Sequence, residues 1–380
     1  MIKRKRKKKI LFVLHLPPPV HGSSIVGKYI KESTLINNRF NSKYINLGTS
    51  KSIDEIGKKF SVKFFIYFKI ILQVVKQLLI FKPDLVYLAM TAKGLGFYKD
   101  IMIVFFIKLF RKQLVIHFHN KGVSDNQHRA LDNFLYKRIF KNTKVILLSK
   151  YLYYDVEKYV NEKNIYYCPN GIPNVSSEVI EPSVKNDFVH ILFLSNLIIS
   201  KGAMVLLKAL SILKNTGANF KCNFVGGIGD ISESLFLDTI KRLGLEAEVK
   251  YLGEKFDSKK SSVFLNSDIF VHPTFNDCFP LVILEAMQFQ LPVISTNIGA
   301  IPSIINDLET GFIVEKGNPI KLAKKIEWLI NNPTKANEMG ILGRKKFENE
   351  YTLENFERNF TSVLNKIYNN IINVNDKVSQ

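Results

Sequence analysis

Residues 269–295 read IFVHPTFNDCFPLVILEAMQFQLPVIS. Two short runs rich in β-branched and aromatic residues, 269–272 and 292–295, predict buried strands. The apolar segment 280–288 between them predicts a helix, and Pro280 is favourable in a first helical turn because its missing N–H would be unpaired there. A strand, a helix and a strand in this order predict a parallel βαβ unit.

The same alternation extends along most of the chain. Further strands are predicted at 10–15, 43–47, 84–88, 113–117, 145–148, 190–195 and 222–225. Helices are predicted near 60–80, 96–110, 127–140, 202–214, 232–243 and 352–372. Since 380 residues are too many for one core, the pattern predicts two doubly wound, Rossmann-like α/β domains facing across a cleft.

The domain boundaries follow from composition. The first domain is predicted at 1–178 and the second at 188–350, joined by an aperiodic linker at 173–187. The last segment, 351–380, is a C-terminal helix that can pack back on the first domain. Ligands of open parallel sheets bind at the carboxyl ends of the strands, so the expected site is the cleft.

Charge is distributed unevenly. The chain holds 54 Lys and Arg against 33 Asp and Glu; residues 1–180 hold 32 and 11 of these, which leaves 22 of each for the rest. The whole excess of +21 therefore lies in the first half and predicts an anionic partner, lipid or nucleic acid. No zinc finger or RNA-binding aromatic motif is visible, so nucleic acid is not expected. Cys168, Cys222 and Cys278 are widely spaced, which predicts neither a disulfide framework nor a zinc site.

Two segments bear on membrane contact. The basic run Lys3 to Lys9 precedes an apolar stretch that is too short for a signal peptide and ends in three prolines, so that interpretation is rejected. No stretch reaches the roughly 18 apolar residues of a membrane-spanning helix. The apolar segment 60–82 carries Lys63, Lys69, Lys76 and Lys82 as one basic stripe. It is either a helix pressed against anionic lipid or a sheet-covering helix with a solvated edge.

Polar residues in the second half point to an anion and a carbohydrate. Asp277 precedes the helix at 280–288, whose N-terminus attracts phosphate, and Glu285 lies further along it. Carboxylates beside an anion site must face hydroxyls, as in a sugar or ribose; the alternative is a capping Asp and a solvated Glu. Lys201, directly before Gly202 at a helix start, is placed to neutralise a phosphate or is simply solvated.

The first half offers weaker signals. Gly22 opens a turn with two following hydroxyls that suits either a phosphate or a rigid proline turn with a Ser N-cap. Strand alternation puts His117 and His119 on one face. With no third ligand at a plausible spacing and no DxD motif, we expect no metal and favour a hydrogen-bonding role for at least one of them.

Together these motifs resemble the retaining glycosyltransferases of the GT-B fold, which include bacterial mannosyl- and capsule-type enzymes. The matching segments are the acid-x7-acid motif Asp277 to Glu285, the turn 291–302, Ser200-Lys201-Gly202, the junction turn 169–172 and His119. The resemblance implies a nucleotide-sugar substrate, no cofactor and no metal. It departs from the family at Asn196, usually Arg, at Asp277, more often Glu, at Pro280, often Gly, and at Ser303, often Glu.

The resemblance also implies roles for individual residues. Glu285 would bond the ribose, Lys201 would bind the diphosphate with Gly22 closing from the opposite side, and His119 and Asp277 would hold the sugar. The remaining donor-binding residues it implies are Asn196, Gly227, Phe279, Pro280 and Leu281. The implied acceptor is a lipid-linked glycan at an anionic membrane surface, on the cytoplasmic side.

Three rival hypotheses stay open. The segment Val225-Gly-Gly-Ile-Gly229 follows a strand and could serve a dinucleotide-dependent oxidoreductase, although Ser232 stands where the third glycine of the fingerprint would fall. The basic half could serve a nucleic-acid binder. A catalytically silent GT-B protein that only binds a partner is the third.

Overall fold

A computed structural model describes residues 6–48, 60–174 and 188–378, with side chains described for these ranges except 60–64 and 371–378. The chain forms two compact units, one of residues 1–170 and 353–380 and the other of residues 171–352. Most of the predicted linker, and the basic run before residue 6, lie outside the described residues.

The first unit is built on a six-stranded parallel sheet with the order β2-β1-β3-β4-β5-β6. Its strands are β1 (Lys9–Leu14), β2 (Asn41–Asn46), β3 (Leu85–Met90), β4 (Gln113–Phe118), β5 (Lys144–Leu147) and β6 (Ile165–Tyr167). Its connecting helices are α1 (Gly22–Glu32), α2 (Thr34–Arg39), α3 (Phe60–Ile80), α4 (Gly94–Leu109), α5 (Val123–Asn126) and α6 (Ala130–Phe140). Strand β3 is buried along its whole length, as expected of a central parallel strand covered on both faces.

The second unit has a six-stranded parallel sheet with the order β12-β11-β10-β7-β8-β9. Its strands are β7 (Val189–Leu194), β8 (Phe220–Val225), β9 (Val249–Tyr251), β10 (Ile269–His272), β11 (Val293–Thr296) and β12 (Gly311–Val314). Its helices are α7 (Ala203–Lys214), α8 (Glu233–Arg242), α9 (Asp257–Leu265), α10 (Leu281–Gln288), α11 (Ile301–Ile304), α12 (Pro319–Asn331) and α13 (Pro333–Glu350). After β9 the chain returns to pair β10 with β7, so the strand order reverses between these two strands.

The last helix, α14 (Leu353–Val378), belongs to the first unit. Its Phe360 ring packs against the rings of Tyr87 on β3, 5.4 Å between centroids, and His117 on β4, 6.2 Å. Lys8 Nζ, just before β1, donates hydrogen bonds to the side chains of Asn365 and Asn369 on the same helix. These contacts bury the apolar face of α14 on the first sheet.

The predicted α/β class with two parallel sheets is confirmed. Each predicted strand lies within about two residues of an observed one. The short strands β6 and β9 and the edge strand β12 were not predicted, because three or four residues carry too little apolar periodicity to stand out. The helices α12 and α13 were not predicted either.

Helix α13 approaches α10 closely at a glycine. A Cβ on Gly340 would lie 1.8 Å from the carbonyl oxygen of Gln290, just after α10, whereas a Cβ on Gly343 would meet nothing closer than 3.7 Å. The backbones can therefore meet at position 340 only without a side chain there.

We expect Gly340→Ala and Gly343→Ala to change stability in opposite directions. Alanine in a helix interior is normally more favourable than glycine by about 1 kcal/mol, so Gly343→Ala should raise the free energy of unfolding by about that amount. Gly340→Ala should instead lower the free energy of unfolding by about 1 to 3 kcal/mol, the usual cost of overpacking. Urea denaturation of both variants measures this, and equal shifts would contradict the close packing.

Candidate functional site

The carboxyl ends of β7 and β10 are joined by hydrogen bonds between the loops that follow them. The carbonyl oxygen of Ser200, after β7, accepts the N–H of Phe275 at 2.8 Å and the hydroxyl of Thr274 at 3.0 Å, both after β10. Because the strand order reverses between these two central strands, the loops that follow them leave a crevice at the carboxyl end of the sheet. Doubly wound sheets bind ligands in such a crevice.

Gly202 allows the two loops to meet. Its φ is +84°, in the left-handed region, and a Cβ there would lie 2.0 Å from the carbonyl oxygen of Pro273. Only glycine satisfies both the backbone angle and the approach. The contact brings Lys201 beside the loop that carries Asp277.

Lys201 and Asp277 form an ion pair of 2.5 Å, with side chains 25% and 15% exposed. Asp277 Oδ2 also lies 3.3 Å from His272 Nε2, and Asp277 Oδ1 accepts the N–H of Cys278 at 3.0 Å. Burial raises the pKa of Asp277, but the hydrogen bond with His272 and the charge of Lys201 outweigh it and lower the pKa to about 2. The carboxylate is therefore ionised at neutral pH.

A second carboxylate lies along the helix that follows. Glu285 on α10 is paired with Lys260 of α9, whose Nζ is 2.7 Å from the carboxylate. Glu285 Oε1 accepts the hydrogen bond from this ammonium group, and Oε2 lies 2.7 Å from the same nitrogen in the ion pair. Each carboxylate oxygen can accept more than one hydrogen bond, so the paired carboxylate can still accept a ligand hydroxyl.

The N-terminus of α10 carries no side-chain cap. Pro280 is the N-cap residue and Leu281 the first helical residue, so the predicted helix start is off by one residue. Phe279, directly before it, is buried with its ring 6.1 Å from that of Tyr351. An uncapped N-terminus leaves backbone N–H groups and the positive dipole end available to an anion.

Asn196 and Gly227 contact each other instead of standing free for a ligand. Asn196 Oδ1 accepts the N–H of Gly227 at 3.0 Å, which holds the loops after β7 and β8 together. A Cβ on Gly226 would lie 2.0 Å from the Ser195 carbonyl oxygen, and one on Gly227 would lie 2.5 Å from Glu254 Oε1. Gly226, whose φ is +149°, is therefore required by backbone packing, whereas a Cβ on Gly227 would meet only the movable end of the Glu254 side chain. The requirement at Gly226 weakens the argument for the dinucleotide hypothesis.

The first-unit histidines form a buried, uncharged cluster. The rings of His117 and His119 lie side by side with centroids 4.1 Å apart and a 42° tilt, as strand alternation predicted, and His117 Nδ1 lies 2.8 Å from the Tyr87 hydroxyl. Burial, followed by the charges of His15 and His21, lowers the pKa of His119 to about 3. His119 is therefore neutral at physiological pH and suited to hydrogen bonding.

Gly22 is the exposed first residue of α1, with open space where a side chain would be. The predicted Ser N-cap is wrong: His21 is the N-cap, and its Nδ1 accepts the N–H of Ser24. The Ser24 hydroxyl donates to the carbonyl oxygen of Pro19 at 2.8 Å. That hydroxyl is thus used inside the turn, and the closing of Gly22 over a diphosphate stays a prediction.

Sequence reasoning missed His272 and Lys260. His272 ends β10, five residues before Asp277, and a polar residue at the carboxyl end of a strand predicted in this crevice was an available signal. Lys260 lies on a helix that was not predicted, so nothing in its spacing linked it to Glu285. Within the ranges described, no three His, Cys, Asp or Glu side chains are grouped as a metal site would need, and no helix is long and apolar enough to cross a bilayer.

Comparison with known proteins identifies relatives of this chain. Residues 177–346 match the family model described as glycosyl transferases group 1. The chain is 34% identical over 173 residues to the capsular polysaccharide biosynthesis glycosyltransferase CapM of Staphylococcus aureus. The aligned segment covers 44% of this chain and 43% of CapM. The alignment thus spans less than half of that relative.

Solved structures match over nearly the whole chain. HepE of Anabaena, solved in complex with UDP, superposes with a TM-score of 0.72 at 18% identity over 94% of this chain and 100% of that one. A glycosyltransferase from Rickettsia africae superposes with a TM-score of 0.69 at 21% identity, over 97% and 99%. These similarities confirm the predicted GT-B fold class.

The Lys201–Asp277 pair predicts a pH-dependent contribution to stability. Since the folded-state pKa of Asp277 is about 2, below its ordinary 3.8, the contribution is present above about pH 4 and is lost as pH falls toward 2. We expect Asp277→Asn to lower the free energy of unfolding at pH 7 by on the order of 2 kcal/mol. Urea denaturation should show that the difference in the free energy of unfolding between wild type and Asp277→Asn is smaller at pH 3 than at pH 7.

Glu315→Gln is the matched control. Glu315 pairs with Lys321 at 2.8 Å, but both side chains are 61% exposed, so solvent screens the pair. A loss as large as that of Asp277→Asn, or a gap for Asp277→Asn that does not change with pH, would contradict the assignment.

Proposed function

Because the chain carries a glycosyl transferases group 1 domain at residues 177–346, we propose that it is a glycosyltransferase of surface polysaccharide biosynthesis. Its donor is a nucleotide-sugar and its acceptor a lipid-linked glycan at the cytoplasmic face of the membrane. The observation that carries the proposal is the Lys201–Asp277 pair, which lies at the reversal of strand order, beside an uncapped helix N-terminus.

The donor is held by charges of opposite sign. The ammonium group of Lys201 and the N–H groups at the start of α10, from Leu281 onward, bind the diphosphate. Glu285, held by its ion pair with Lys260, accepts hydrogen bonds from the ribose hydroxyls through the remaining lone pairs of its carboxylate. Asp277, ionised and oriented by His272, accepts from a sugar hydroxyl.

Transfer proceeds with retention of configuration. The acceptor oxygen forms a bond to the anomeric carbon on the face from which the diphosphate leaves, and a phosphate oxygen of the leaving group takes the acceptor proton. Negative charge therefore grows on the leaving phosphate, and Lys201 with the α10 N-terminus stabilises it. Neutral His119 of the first unit offers a hydrogen bond to the sugar. The positive charge of Lys201 and of the α10 N-terminus supports transfer without a metal ion.

The relatives support the substrate classes. CapM is by its name a capsular polysaccharide biosynthesis glycosyltransferase, and HepE has been solved with UDP and with UDP-glucose. We therefore favour a UDP-sugar over a GDP-sugar. The lipid-linked acceptor is supported by the +21 charge excess in the first half of the chain.

We expect Lys201→Ala and Glu285→Gln each to lower donor turnover by about thirtyfold to a thousandfold, since one charged contact to the bound donor is worth about 2 to 4 kcal/mol. The control is Lys208→Ala, an exposed lysine of α7, which should leave turnover unchanged. The anomeric configuration of the product, determined by NMR, should be the same as that of the donor if transfer proceeds with retention. Turnover should be unchanged in the presence of EDTA if no metal ion is needed.

A binding measurement separates affinity from chemistry. UDP at about 100 times its dissociation constant should stabilise the wild type by about 2.7 kcal/mol, visible as a thermal shift. GDP and ADP are screened beside it. The site assignment would be overturned if UDP, GDP and ADP all failed to shift the melting temperature. It would also be overturned if the turnover of Lys201→Ala stayed within about threefold of wild type.

A further inference from the structure

Three neighbouring helices cover one face of the first sheet. The connections from β2 to β3, β3 to β4 and β4 to β5 all run in the same direction across the sheet, and right-handed crossovers therefore put α3, α4 and α6 on one side. Tyr67 of α3 donates a hydrogen bond to the carbonyl of Lys99 on α4, and Tyr98 of α4 donates to Asp132 of α6. The three helices form one continuous outer surface.

That surface is unusually apolar. Large hydrophobic side chains recur on the solvent side of each helix at helical spacing. They are Phe65, Phe68, Leu72, Leu79 and Ile80 on α3, Leu95, Met102, Phe105 and Leu109 on α4, and Leu131 and Phe134 on α6. Phe68, Phe105 and Leu95 are 49%, 56% and 76% exposed. Contiguous apolar surface of this extent marks an interaction site.

The charges on the same surface have one sign. Lys69 and Lys76 on α3 and Lys137 and Arg138 on α6 are exposed, and Lys69 Nζ and the Arg138 guanidinium lie 4.7 and 4.8 Å from the ring centres of Phe65 and Phe134. The carboxylates of α4 and α6, Asp100 and Asp132, are each 3% exposed, and α3 has none. Within the described side chains, the charged groups on the outer surface of the three helices are thus all cations.

We propose that the outer surface of α3, α4 and α6 docks on an anionic lipid bilayer. Apolar side chains enter the boundary of the headgroups and acyl chains while basic side chains reach lipid phosphates, the arrangement of an interfacial helix. A second copy of the chain fits poorly, because two such faces would bring cations together without carboxylates between them. The inference rests on the proposed function only in one respect, since the lipid-linked acceptor explains why the protein would bind a membrane. Membrane binding itself can be measured without an activity assay.

Vesicle flotation of the full-length protein tests the surface. Wild type should bind vesicles of phosphatidylglycerol and phosphatidylcholine, bind pure phosphatidylcholine at least tenfold less, and lose binding as salt rises. Phe68→Ser with Phe105→Ser should weaken binding at least tenfold, because each removes a half-exposed aromatic ring from the interface. Lys69→Gln with Lys76→Gln should weaken it about tenfold on anionic vesicles only.

The matched control removes two equally exposed apolar side chains from helices of the second unit. Leu237→Ser with Leu342→Ser, at 46% and 45% exposure, should bind vesicles as wild type does. All variants should keep the UDP thermal shift, which separates failure of this inference from failure of the proposed function. Absent binding by wild type, equal loss in the control, or a dimer in solution that the Phe variants dissociate would overturn the proposal.

A single tryptophan gives a second readout that does not depend on weakened binding. The chain has one Trp, Trp328 on α12 of the second unit. In a Trp328→Phe background, Phe105→Trp should shift its emission to the blue and be quenched by brominated lipids in anionic vesicles. Leu342→Trp in the same background should show neither effect. Quenching of both, or of neither, would contradict docking through this surface.

Discussion

The contact between Gly202 and the carbonyl of Pro273 is the constraint on which the site depends. A Cβ at position 202 would lie 2.0 Å from that oxygen, so the loops after β7 and β10 can touch only because a side chain is missing. Two hydrogen bonds to Ser200 then hold the loops in register. As a result Lys201, which is 76 residues from Asp277 along the chain, has its ammonium 2.5 Å from that carboxylate.

Each carboxylate of the site is paired with a lysine in the free protein. Asp277 pairs with Lys201 and Glu285 with Lys260. Bringing such a charge into a partly buried site is costly when it has no partner, so pairing keeps the groups ionised and ordered before a ligand arrives. In the proposed complex, Lys201 would exchange the Asp277 carboxylate for the diphosphate, and Asp277 would keep its hydrogen bonds with His272 and the N–H of Cys278.

The α/β class and the buried central strands were predictable because their apolar character is strong, whereas the 13- and 18-residue helices α12 and α13 were missed. The positions of Lys201 and Asp277 were also predictable, since each lies in a loop that leads from the carboxyl end of a strand to a helix, and Glu285 was placed further along the helix after Asp277. The ion pairs were not, because pairing depends on which strands are neighbours: β10 lies beside β7 although β8 and β9 come between them in sequence. Lys260 was missed for a further reason, since α9 mixes Lys, Ser and apolar residues without a clear period.

Asn196 shows how one substitution redistributes charge in this site. The resemblance implies an arginine at this position, a second cation for the diphosphate beside Lys201. The asparagine instead accepts the Gly227 N–H at 3.0 Å and so holds the glycine-rich loop against the loop after β7. Of that proposed cation pair only Lys201 is present, so in the proposed reaction stabilisation of the leaving phosphate would depend on Lys201 and on the α10 N-terminus together. Because a helix N-terminus carries only about half a unit charge, Lys201 must supply the larger part of the attraction.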